Sequence, residues 1–141
     1  MNCVPLTHAD SPAILTFDRL EPGANLGSLE LTVDAASLVL WNELYGQDPA
    51  GELLPLAFAP MLLMRAFLTI VSPRPPGNLH VGQTYSVSRL PPADRPMLAS
   101  AVCSAKEIRK GRMIAQFGVT LSDMPGIVPM VSGISTIFWA Q

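Results

Sequence analysis

Charge is what this sequence has least of. Only 14% of its 141 residues are charged, against roughly 25% in an ordinary soluble domain. Nine Lys and Arg stand against eleven Asp and Glu, a formal net charge of −2. The basic residues are scattered apart from Arg109, Lys110 and Arg112, so no stripe exists to track a phosphate backbone, and nucleic acid is not an expected partner. Cysteine is almost as scarce. Cys3 and Cys103 make no disulfide framework and have no metal-ligand spacing, and His8 and His80 add too few imidazoles for a structural metal site. Nothing in the sequence asks for a cofactor. The first twelve residues lack a basic stretch followed by an apolar one, so no secretory signal is expected and the cytoplasm is the default compartment. The longest apolar stretch, Leu53 to Val71, carries Arg65 near its centre and Pro55 and Pro60 in its first half, which argues for a buried helix over a membrane span. With 49% apolar residues and so little charge, much of the surface must be neutral, and such a surface is usually covered by another subunit. A homodimer or higher homo-oligomer is expected.

What remains is material for one core, so residues 1–141 are read as a single domain. Ile14 to Phe17 is a short β-prone piece, and Glu21 to Asn25 a turn. Ser28 to Val33 alternates Leu29, Leu31 and Val33 inward against Ser28, Glu30 and Thr32 outward, the pattern of a half-buried strand. A helix follows, capped by Thr32 or Asp34, with Ala35, Leu38, Val39, Trp41, Asn42 and Tyr45 on an apolar face and Gly46 at its end. Gln47 to Pro55 holds Pro49, Gly51 and Pro55 and reads as a loop. The second helix has Pro60 in its first turn and runs apolar on nearly every face from Met61 to Val71, so it must be enclosed on most sides. Ser72 to Gly77 ends it. Strands are expected over Leu79–Arg89, Met97–Ile108, Met113–Leu121 and Ile134–Ala140, with a tight hairpin at Lys110-Gly111. One long apolar helix set in a run of antiparallel strands is an α+β arrangement whose sheet must curl around the helix, a hot-dog architecture.

Three segments carry a resemblance to a known family. Phe17 to Gly23, then Leu31-Thr32-Val33-Asp34 running into a helix that ends Leu44-Tyr45-Gly46, resembles the opening of the MaoC-like (R)-specific enoyl-CoA hydratases and acyl dehydratases. Pro76-Gly77-Asn78-Leu79-His80-Val81-Gly82-Gln83 is similar to the Pro-Gly turn and Gly-Gln strand of that family. The resemblance implies a hot-dog subunit acting on an acyl-CoA or acyl-carrier thioester. In the family the first helix leads into a loop, Gly-Asp-x-Asn-Pro-x-His, whose Asp and His add water across the enoyl double bond. Here the loop is Gly46 to Glu52. Gln47 stands at the Asp position and Glu52 at the His position; a one-residue slip gives Asp48 the carboxylate role, and no slip restores a histidine. At the start of the central helix the family places a Gly whose N–H holds the thioester oxygen. Ala59-Pro60-Met61-Leu62 stands there, and Pro60 has no N–H.

The candidate catalytic pair is therefore Asp48 and Glu52, acting as general acid and base if burial raises a pKa toward neutrality; a solvated loop carboxylate is the alternative. Gln47 can hydrogen-bond a carbonyl or orient a water but cannot carry a proton. Ala59, Met61 and Leu62 would bind substrate at the helix start, with Met61 and Leu62 offering N–H donors. His80 would approach the acyl group, or pair with nearby backbone. The cluster Met61, Leu62, Leu63, Met64 and Phe67 either lines an acyl tunnel or fills the core. Three functions stay open: a hydratase or dehydratase relative whose chemistry has changed or been lost, a non-catalytic acyl-binding or structural hot-dog subunit, and an acyl-CoA thioesterase using Glu52 to activate water.

Overall fold

In a computed structural model, residues 13–46, 52–124 and 128–141 are described. Their elements run β1 (Asn25–Leu31), α1 (Ala35–Tyr45), α2 (Phe58–Ile70), β2 (Leu79–Val87), β3 (Met97–Arg109), β4 (Arg112–Asp123) and β5 (Pro129–Phe138), with a 3-10 turn at Phe17–Arg19. The five strands form one sheet in the order β1-β3-β4-β5-β2, every neighbour antiparallel. Register shifts interrupt all four pairings, at Asn25/Gly27, His80/Gly82, Cys103/Ala105 and Leu121/Ser122. Each irregularity adds local twist, which lets a sheet curl.

The sheet curls over α2, which packs against all five strands. Phe58, Ala59, Leu62, Leu63, Ala66 and Phe67 are its buried residues, and their three- and four-residue spacing sets them on one face. Each large side chain among them contributes about 1.5–3 kcal/mol by leaving water. Phe67 lies 5.2 Å from the ring of Phe117 on β4, and Phe117 lies 5.3 Å from Trp139 just after β5. The Trp139 indole also donates to the Leu15 carbonyl at 3.0 Å, fastening the chain's early segment to the end of the sheet.

Several sequence expectations need correction. The central helix is not long: thirteen residues, about 20 Å at 1.5 Å per residue. It starts at Phe58, two residues before Pro60, because a turn over Pro55–Ala57 feeds straight into it. Nor is it enclosed on most sides, since Met61 and Leu68 are 41% and 47% exposed. The first helix matches its expected limits, with the Asp34 carboxylate accepting from Ser37 N at 2.7 Å and Gly46 at φ 86° as its C-cap, yet it buries none of its residues. Its apolar side chains occupy two faces. Trp41 turns inward onto Phe58, with ring centroids 4.5 Å apart, while Val39, Leu40 and Leu44 face outward. Ile14–Phe17 is not a strand; the chain turns through 3-10 geometry at Phe17. The last strand begins at Pro129 and ends at Phe138, earlier than expected at both ends; it pairs with β2 on one side and β4 on the other, and just past it the Trp139 side chain enters the core while its N–H still donates to Met113 O at 2.9 Å. The hairpin expectation holds, with Lys110 and Gly111 at φ 50° and 75°, the doubly left-handed turn that suits twisted strands. No described helix is long and apolar enough to cross a membrane.

Candidate functional site

The segment leading into α2 lies along one end of the sheet. Leu53 bridges Pro92, Leu54 N donates to Pro91 O at 2.8 Å, and Ala93 N donates to Glu52 O at 2.9 Å. Asp94 N in turn donates to Val33 O at 2.9 Å. These bonds tie residues 52–54, the link between β2 and β3, and the entry to α1 into one rim. A cleft of about 430 Å³ opens there, lined by Leu38, Glu52, Leu53, Pro92, Asp94 and Arg95. A second cleft of about 490 Å³, which shares Leu53, Pro92 and Arg95 with the first, is walled by Leu90, Met124 and Met130, with the Arg89–Asp123 ion pair beside them.

Glu52 lies in the first cleft opposite Arg95 and is exposed. Asp48 and Gln47 lie outside the described residues. His80 is exposed on β2, paired in register with Ile137, whereas the rim follows the opposite end of that strand. At about 3.3 Å per residue, the length of β2 keeps the His80 and Glu52 ends roughly 20 Å apart. The cleft that Glu52 lines does not include His80.

Ala59 and Leu62 are fully buried against the sheet, and Met61 points to the open side. The start of α2 offers few free donors. Phe58 N and Ala59 N turn back onto the Pro55 and Leu56 carbonyls, each at 3.0 Å, and Pro60 has no N–H. An α-helix leaves only its first N–H groups unpaired. With the helix beginning at Phe58, Met61 and Leu62 sit at its fourth and fifth positions, where N–H groups belong to the helical ladder. The oxyanion-type arrangement expected for a start at Pro60 is therefore largely absent, because the added turn uses the donors.

One polar group was not singled out by the sequence reading. Gln83 pairs in register with Ser135, which is 2% exposed. Cross-strand partners share a face, so both side chains point toward α2. The Gln83 Nε2 is sealed from solvent and has no hydrogen-bond partner within the protein. The signal was present as a polar residue at a period-two position in an edge strand, but in the sequence it is indistinguishable from an outward-facing one. Among the described residues, no three His, Cys, Asp or Glu side chains gather.

By sequence, no protein-family model matches the chain, and no curated protein matches it. Solved structures do. A MaoC-like dehydratase from Rhodospirillum rubrum superposes with a TM-score of 0.74 at 16% identity, covering 90% of this chain and 98% of that one. The (R)-hydratase from A. caviae involved in PHA biosynthesis gives a TM-score of 0.62 at 21% identity, covering 86% and 98%. A truncated HadBC (3R)-hydroxyacyl-ACP dehydratase complex from Mycobacterium tuberculosis gives 0.60 at 15%, covering 77% and 88%. With a five-stranded antiparallel sheet curled over α2 and neighbours of this kind over nearly its whole length, the chain has the hot-dog fold of the MaoC-like dehydratases and (R)-hydratases.

Proposed function

We propose that this chain is a single-domain acyl-thioester-binding relative of the MaoC-like hydratases and dehydratases, working in the cytoplasm on a coenzyme A or carrier-protein thioester. The observation that carries the reading is the open flank of α2: the sheet covers one face of the helix and leaves Met61 and Leu68 uncovered. An apolar acyl chain can lie along such a flank. Asp48 and Glu52 are the proposed acid-base carboxylates, Gln47 a polar contact beside them, Ala59, Met61 and Leu62 the acyl wall, and His80 a contact farther along β2. The chain is proposed to act as a homodimer or higher homo-oligomer, paired through β2. This edge strand carries no Lys, Glu, Asp, Arg or Pro in LHVGQTYSV, and so lacks the residues that usually blunt a free edge.

The test is hydration of enoyl-CoA by the purified protein. Turnover that falls with Asp48→Asn and Glu52→Gln supports the assigned roles, and turnover that survives loss of both carboxylates defeats them. Light scattering is expected to give at least a dimer; a monomer at working concentration contradicts the assembly.

A second reading, an acyl-binding subunit without catalysis, is favoured by the exposure of Glu52 and by the spent donors at the start of α2. Saturable acyl-CoA binding with no turnover selects it. Release of free thiol instead of hydration identifies a thioesterase.

A further inference from the structure

We propose that the sheet face turned away from α2 docks a second copy of this chain, so that two β2-paired dimers stack face to face into a tetramer. The proposal rests on the pairing of copies through β2 and adds a second interface to it.

The outward positions of the strands alternate with Phe117, Val119 and Ser135, which turn to α2, and so fall on the opposite face. Register lines them up across the sheet. One row is Ser86, Ser132, Thr120, Ser100 and Ser28, running from β2 to β1. The next is Thr84, Ile134, Gly118, Val102 and Asn25, and a third holds Gly82, Thr136 and Gln116. None of these residues is charged, whereas a surface kept in water carries roughly 25–35% charged side chains. Charge begins one row farther out, with Glu30 beside Leu98 and Glu107 beside Ile114. Depletion of charge marks the core of an interface.

The face suits a copy of itself. A twofold axis sets the same patch against itself, and a hydroxyl both donates and accepts, so facing rows of Ser and Thr can satisfy one another where like charges would repel. The curl of the sheet would make this face convex, but at Gly118 it is hollowed by a furrow of about 440 Å³. Val102 on β3 and Ile134 on β5, 37% and 42% exposed, wall it. These apolar ridges stand two strands apart, about 10 Å, so the Ile134 ridge of a second copy fits between them. Area decides the stoichiometry. With five strands about 4.8 Å apart and three rows about 6.8 Å apart, the face measures roughly 480 Å² per chain. Two single chains would bury about 960 Å² in all, short of the roughly 1,200 Å² of a stable complex. Pairing through β2 joins two faces into one, and two such dimers bury about 1,900 Å², an interface of standard size.

Light scattering and native mass spectrometry of the full chain read the assembly, and wild type is expected to be a tetramer at micromolar concentration. Ile134→Glu puts a carboxylate into the furrow, and Thr120→Lys brings like charges together across the axis. Both positions face away from the core, so each variant should keep the wild-type circular dichroism spectrum. Each should run as a dimer, with a dimer–tetramer Kd raised about a hundredfold or more. Wild type that stays a dimer up to hundreds of micromolar would overturn the stacking and leave the β2 pairing standing. A tetramer that persists in both variants would also overturn it. A wild-type monomer would overturn the β2 pairing, and the stacking with it.

Discussion

Leu63 lies over Gly133 with no room between them: a Cβ on the glycine would stand 2.8 Å from Leu63 Cδ1 and 2.5 Å from the Thr84 carbonyl oxygen. Both distances are below any normal contact, and one of the obstructing atoms is backbone, which cannot rotate away. The missing side chain on β5 is what lets α2 settle onto the sheet.

Gly133→Ala is therefore expected to destabilise the protein, by about 1–3 kcal/mol, the usual cost of forcing atoms into a packed core. Urea unfolding measures it, and a midpoint equal to wild type would mean that α2 does not sit this close.

The ring of Phe117 joins Phe67 on one side to Trp139 on the other and is fully buried. Phe117→Ala should cost about 3–5 kcal/mol through lost transfer energy and the cavity left behind. Trp139 fluorescence during denaturation reports the change directly, since its ring borders the cavity.

Stability should decline at high pH through Cys103. Burial pushes its thiol up from the ordinary value, opposed by the nearby Lys106 ammonium. The folded pKa thus lies above the unfolded one, which is about 8.5. A group raised in this way favours the fold fully below the unfolded value, and that contribution is lost as pH climbs through the folded value. Urea midpoints between pH 8 and pH 10 should fall more steeply for wild type than for Cys103→Ala; parallel slopes would remove the thiol as the cause.

Pro60→Ala supplies the N–H that the third position of α2 lacks, and alanine is the better helix former. Acyl-CoA is expected to bind about fivefold tighter, in keeping with one added hydrogen bond, with unchanged helix content by circular dichroism. Equal affinity would mean that the start of α2 does not face the thioester.

The elements that were legible in the sequence are those fixed by short-range chemistry. Asp34 and Gly46 bound α1 as their side chain and conformational freedom require, Lys110-Gly111 makes the β3–β4 turn, and the alternation Ala115, Phe117, Val119, Leu121 marks the buried face of β4. Less legible was everything that depends on what lies across a gap. The apolar residues of α2 gave no hint of which would be left open, because Met61 and Leu62 are equally apolar and only the sheet distinguishes them. The functional pattern was read from the loop before Glu52, whereas the unpartnered amide of Gln83 became visible only once its register with Ser135 was known.

The sequence by itself determined a charge-poor α+β chain with an apolar second helix and four strands after it, since composition, caps, turns and two-residue alternation act over a few positions. Tertiary structure decided the order β1-β3-β4-β5-β2, the separation of His80 from Glu52, and the turn that uses the first N–H groups of α2. Those outcomes come from pairing and packing between distant segments, where a strand's register or a helix's start shifts by a residue or two for reasons no local pattern contains.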